Sequence, residues 1–200
     1  MFPLETDETS GQTPLDPDEA EGLLVPILNR DGLNAVEAAN IAEAVRWLAV
    51  RRSRNIDSVL SERFLRELHR RMFGQVWVWA GGFRRSDKNL GCPWFEVPIR
   101  LRALLDDGEA WVAAGMDADE GAVRFSHRLV SIHPWANGNG RHSRLVGDQL
   151  ARALGRPVFT WGGAPASSAA GDVRDRYLTA LRRADAGDIG PLVAFARGEG

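Results

Sequence analysis

Apolar residues recur with the helical period along most of the chain. In "NAVEAANIAEAVRWLAVRR", Ile41, Val45 and Leu48 fall at i, i+4 and i+7, and in "LSERFLRELHRRMF" Leu65, Leu68 and Met72 fall at i, i+3 and i+7. Leu101, Leu104, Leu105, Gly108 and Val112 trace a third face. A fourth, through Ala122, Phe125, Leu129 and Ile132, runs directly into His133, so a packed helix fixes that histidine at its end. Pro134 stops this helix and restricts His133 to extended conformations. "ANGNG" makes the turn, and from about Gly138 a new helix runs through "RHSRLVGDQLARAL" with Val146, Leu150 and Ala153 inward. Gly155, ahead of Pro157, closes it. Two later helices carry Val173, Tyr177 and Leu181, then Ile189, Leu192, Val193 and Ala196.

The helical pattern fails in two places. Residues 1–32 are rich in Pro, Gly, Thr and acids and show no apolar period until "EGLLVPIL", which predicts a mostly irregular segment. "VWVWAGGFRRSDKNLGCPWFEVPI" alternates Trp77 and Trp79 and is punctuated by Gly81, Gly82, Gly91 and Pro93, which predicts short strands or a β-hairpin near 83–98. The expected fold class is therefore all-α, a single-domain helical bundle with a short β-hairpin.

Composition changes this picture little, but charge does. Seven carboxylates precede the first basic residue, Arg30, so residues 30–200 carry a formal +5 against −2 for the whole chain. That body is too weakly basic to suggest nucleic-acid binding and suits a phosphate-bearing small molecule. The lone Cys92 excludes an internal disulfide and a Cys-based zinc cluster. No apolar run is long enough for a membrane span, and acids stand where a signal peptide needs bases, so the expected location is cytoplasmic.

The chemistry concentrates in "SIHPWANGNGRHSRL", residues 131–145. A Gly-rich turn that opens a helix presents unpaired N–H groups and the positive end of the helix dipole, which is an anion site. Arg141 and Arg144, three apart, add charge suited to several phosphates in a row. His133 stands on the other side of the short loop, where a general base could reach a hydroxyl attacking a bound phosphate.

These residues resemble the Fic (Fic/Doc) signature, which in words is His, any, Phe, any, Asp or Glu, Gly, Asn, Gly, Arg, any, any, Arg. Here it stands as His133, Pro134, Trp135, Ala136, Asn137, Gly138, Asn139, Gly140, Arg141, His142, Ser143, Arg144. "VWVWAGGFR" is similar to the segment leading into the Fic flap, and "RYLTALRRADAGDIGPLVAFAR" to the closing helices, so the resemblance spans 33–197. "TPLDPDEAEGL", "WGG" and Asn137 look most like the subgroup called mobile mystery protein B. The resemblance implies a Fic fold and a protein nucleotidyltransferase moving AMP from ATP to a Ser, Thr or Tyr hydroxyl of a target protein. In that reading His133 is the general base; the amides of Gly138 to Gly140, with Asn139, hold the α- and β-phosphates; Arg141 meets the β-phosphate; and Arg144 meets the γ-phosphate or an inhibitory glutamate. A flap at Leu90, Gly91 and Val97 aligns the target segment as an added strand.

Two departures qualify these roles. Trp135 replaces a core Phe, a change of size. Asn137 replaces the acid that normally holds Mg²⁺ against the phosphates, which weakens any metal site there. A Doc-like phosphotransferase and a weakened Fic domain that only binds a nucleotide or a partner therefore stand as alternatives. A metal nuclease built on His133, Asn139 and His142 would need a hairpin that a helix-to-helix turn does not supply. "PDEAEGL" partly matches an inhibitory helix, near 16–24, with Glu21 facing Arg144; Pro17 stands where that motif has Ser or Thr. An antitoxin-like or helix-turn-helix partner is the association such relatives suggest.

Overall fold

The computed structural model describes residues 17–26, 29–50, 55–163 and 170–199. The acidic residues ahead of Pro17 lie outside them. The helices are α1 (Pro17–Ala20), α2 (Arg30–Val50), α3 (Ile56–Val59), α4 (Glu62–Phe73), α5 (Val97–Ala113), α6 (Ala118–Ile132), α7 (Asn139–Ala153), α8 (Ala170–Asp185) and α9 (Gly190–Arg197). Among the described residues there is no strand, only an isolated bridge between Leu23 and Trp77.

Helices α6 and α7 form the centre. They pack against each other, α5 and α9 flank α6, α4 and α3 meet α7, and α2 lies on α4. Local chemistry sets their starts. Ser61 caps α4 by accepting from Phe64 N–H at 3.2 Å, and Asp117 caps α6 by accepting from the Asp119 and Glu120 amides. The core between them contains the wholly buried Leu65, Leu68, Met72, Phe73, Trp77, Leu101, Leu104, Phe125, Leu129 and Trp135. Burying Phe125 or Leu65 alone contributes roughly 1.5–3 kcal/mol.

Two sequence expectations change. On α2 the core face is Leu33, Glu37, Asn40, Ala44 and Leu48, while Val45, expected inward, is 43% exposed. Two polar residues belong to the buried stripe, so an apolar-only period reads the face one residue off. Asn40 donates to Arg71 O at 3.0 Å and accepts from Gln75 N–H at 3.2 Å, which is why burial costs it little.

The second correction concerns the β-hairpin at 83–98, which is absent. This segment is a loop ending in a 3₁₀ turn, Trp94–Glu96, that feeds α5. Its backbone groups bond outward rather than to one another: Arg84 N–H donates to Pro134 O, Cys92 N–H to Ile132 O, and the Arg84 guanidinium to Ser86 O and Cys92 O. A hairpin would need those groups for its own ladder.

Candidate active site

His133 caps the C-terminus of α6 with φ 57 and ψ 59, the left-handed region, and not the extended conformation that Pro134 leads one to expect. Such a conformation costs on the order of 1–3 kcal/mol in a non-glycine residue and persists only when its surroundings over-determine it. Here they do. His133 N–H donates to Leu129 O at 3.3 Å, Arg84 Nε donates to His133 O at 2.6 Å, and Arg84 N–H donates to Pro134 O at 3.0 Å. The imidazole Nδ1 lies 3.3 Å from Val130 O, an acceptor only, so Nδ1 carries the proton and Nε2 the lone pair. Burial, aided by the nearby Arg84 and Lys88 charges and opposed by the Val130 bond, lowers its pKa to about 4. The ring is therefore neutral at pH 7, the form a base requires.

Gly138 opens α7 with φ 78, and a Cβ there would stand 2.4 Å from the Phe73 ring. Only glycine fits both constraints. His142 N–H makes the first intrahelical bond, to Gly138 O, so the amides of Asn139, Gly140 and Arg141 precede the ladder. Beside Gly140 a Cβ would meet nothing within 4 Å, which leaves room for an anion against this turn.

The asparagines are engaged differently from the sequence expectation. Asn139 is buried, its side chain accepting from Trp135 N–H and donating to Trp135 O, both at 2.9 Å. Its side chain is thus committed to the turn itself. Asn137 Oδ1 accepts from Gly138 N–H at 2.6 Å, and its carbonyl accepts from His69 Nε2 at 3.1 Å. Among the described residues no group of three His, Cys, Asp or Glu side chains could hold a metal. One neutral oxygen already in a hydrogen bond does not fit a protein-held Mg²⁺, which favours carboxylates.

Arg141 and Arg144 share the first turns of α7 but lean on different elements. Arg141 pairs with Glu37 of α2 at 2.7 Å and lies over the Phe73 ring at 4.9 Å. Arg144 lies over Tyr177 of α8 at 5.0 Å. Glu37 is buried and also accepts from Trp77 Nε1 at 2.8 Å. The sequence reading missed it, although a glutamate one helical turn beyond Leu33 was the available signal.

The remaining expected residues scatter. Gly91 crosses close to His133: a Cβ on it would stand 2.5 Å from His133 Cβ. Leu90 is half exposed, whereas Val97 is wholly buried as the first residue of α5 and faces no incoming segment. Glu21 is exposed; the carboxylate of this segment that reaches the loop is Glu19, paired with the buried Lys88 at 2.5 Å. His142 and His69 are fully buried beneath the turn. His142 accepts from Trp135 Nε1 and donates to Leu65 O, and His69 stacks on Trp135 at 4.4 Å while accepting from Gly81 N–H. Both are scaffold, and burial lowers the pKa of each.

The site lies inside residues 59–151, which match the Fic/DOC family model. The chain is 32% identical over 146 residues to a protein adenylyltransferase Fic of Culex quinquefasciatus and 31% over 157 residues to that of Drosophila melanogaster. These alignments cover 70% and 76% of this chain, and the chain spans 28% and 30% of those relatives' length. Among solved structures it is similar to Fic-1 of C. elegans, with TM-score 0.68 and 24% identity over 90% of this chain and 52% of that one. It is also similar to the ADP-bound N-terminal Fic domain of a Bartonella quintana cell filamentation protein, with TM-score 0.67, 19% identity, and coverage of 88% and 87%. Residues 59–151 of the chain thus form a Fic/DOC family domain, and the turn from His133 to Arg144 lies within it.

Proposed function

We propose that this chain transfers AMP from ATP to a Ser, Thr or Tyr hydroxyl of a target protein. One observation carries the reading: a neutral histidine is locked at the end of α6, and the turn after it opens α7, whose first amides precede the helix ladder and whose Gly140 has open space beside it. The target hydroxyl oxygen bonds to the α-phosphorus, the bond from that phosphorus to the oxygen bridging the β-phosphate breaks, and pyrophosphate leaves. His133 Nε2 takes the hydroxyl proton. The amides of Asn139, Gly140 and Arg141 stabilise charge that grows on the phosphate oxygens, and Arg141 and Arg144 supply the cations. Leu90 and Gly91 border the path of the target segment. The names of the insect relatives support this activity.

Asn137 favours a second reading. With no carboxylate at that position, Mg²⁺ would be held chiefly by the nucleotide, and a Doc-like phosphotransferase or a nucleotide-binding domain uses the same turn. The mobile mystery protein B-like subgroup, a cytoplasmic setting, an antitoxin-like partner and an inhibitory Glu21 belong to this same proposal. They rest on the sequence features quoted above.

Incubation with ATP labelled at the α- or the γ-phosphate, with a lysate and with or without Mg²⁺, separates the readings. Label from α alone, lost in His133→Ala, is expected. Label from γ alone supports the phosphotransferase, and label from neither supports the binding domain.

A further inference from the structure

Arg84 takes no part in the scheme above, yet its side chain is fully buried and binds chiefly backbone carbonyls, with the exposed carboxylate of Asp87 at 3.6 Å and Cys92 Sγ at 4.0 Å beside them. Nε donates to His133 O at 2.6 Å, and Nη2 lies 3.5 Å from Ile132 O. The other donors go to Ser86 O, at 2.8 Å, and to Cys92 O. The Arg84 amide adds a bond to Pro134 O. Residue 84 therefore grips the peptide after the base by both its side chain and its backbone.

The geometry of that grip matters because ψ of His133 sets where its carbonyl oxygen points. Rotation from ψ 59 to the extended value favoured before proline swings that oxygen away from Nε. Two other bonds at His133 are longer, from its backbone N–H to Leu129 O and from Nδ1 to Val130 O, both 3.3 Å. The same guanidinium also holds the loop whose Gly91 lies on His133.

We propose that Arg84 is a positioning residue for the reaction: its planar, multidentate guanidinium locks the left-handed conformation of His133 and ties the base and the 86–92 loop into one unit. Lysine would keep the charge but, as a point donor, could satisfy only part of this fan. The role rests on His133 acting as the base in AMP transfer, so the test reads the imidazole separately from the activity.

In the full chain, Arg84→Lys is compared with wild type by ¹⁵N NMR of the imidazoles, with His133 assigned through its loss in His133→Ala. Wild type is expected to show His133 as a single Nδ1–H tautomer. Arg84→Lys is expected to show averaged nitrogen shifts, with kcat for AMP transfer down about 100-fold and KM for ATP changed less than threefold. Wild-type shifts in Arg84→Lys, or a fall in affinity for ATP with unchanged kcat, would overturn the proposal. If Arg84→Lys fails to melt cooperatively, Arg84→Ala with added methylguanidinium decides: restored His133 shifts support the role and unrestored shifts overturn it. A wild type that transfers no AMP removes the proposed activity, while the imidazole shifts still decide the role of Arg84.

Discussion

In the proposed reaction His133, with its pKa lowered to about 4, would be a weak base, because burial disfavours the imidazolium and Arg84 and Lys88 add positive charge nearby. A polyphosphate placed at the start of α7 reverses the sign of that field, because a neighbouring anion favours the charged ring. The His133 pKa should therefore rise above about 4 when ATP binds, in an NMR titration with and without nucleotide. No rise would place the phosphates away from His133. Asn137 allows an equally local test. Asn137→Asp restores a carboxylate, and the Mg²⁺ concentration for half-maximal activity should fall roughly tenfold, equivalent to about 1.4 kcal/mol. An unchanged Mg²⁺ dependence would show that residue 137 does not face the metal.

At the scale of elements, the α6–turn–α7 unit was the most legible part of the chain. Its apolar stripes are regular, its punctuation is Pro134 and glycine, and its polar residues cluster at one junction. The elements that brace it were less legible. The buried stripe of α2 runs through Glu37 and Asn40, and polar residues enter a core only when partners from distant segments satisfy them, which a period of apolar residues alone does not reveal. The 83–98 loop misled for a related reason: glycines and alternating tryptophans suit a hairpin, but one buried arginine supplies bonds that a partner strand would otherwise make. Bracing from α2 has a measurable consequence. Glu37 holds Arg141 through one oxygen and Trp77 through the other, so Glu37→Gln weakens the ion pair while keeping the shape. Its KM for ATP should change severalfold with kcat nearly preserved. A loss confined to kcat would contradict the placement of Arg141 as a binding residue.

For the whole molecule, an acid-sensitive feature besides His133 is the pair of fully buried neutral histidines under the turn, His69 and His142. His142 titrates near 6.5 when unfolded and about 4 when folded, lowered by burial. A depressed histidine pKa means that the unfolded chain binds the proton first, so the stability is complete above about pH 6.5 and declines as pH falls toward 4. At pH 5 His142 alone should account for a loss of about 2 kcal/mol, and His69, lowered in the same direction, adds to it. Denaturant titrations at pH 7.5 and pH 5 measure this, and a neutral His142→Gln variant should lose part of the pH dependence. A lower window belongs to Asp119, which Arg197 and Arg156 hold down to about 2 against the effect of burial. Its contribution, which ties α9 to the start of α6, is present above pH 4 and is lost between 4 and 2. If stability were flat between pH 7.5 and 5, the histidines would not be buried and neutral as described.

These scales meet in the proposed reaction: a neutral His133, fixed by α6, would take the proton of a target hydroxyl while α7 holds the nucleotide. The product of the leaving group tests it most directly, because transfer of AMP from ATP releases pyrophosphate and transfer of the γ-phosphate releases ADP. With purified protein, ATP and a labelled acceptor, pyrophosphate should appear in step with protein-bound AMP, with no matching ADP, and His133→Ala should abolish both. ADP in step with a phosphorylated acceptor, or pyrophosphate release that persists in His133→Ala, would contradict the account.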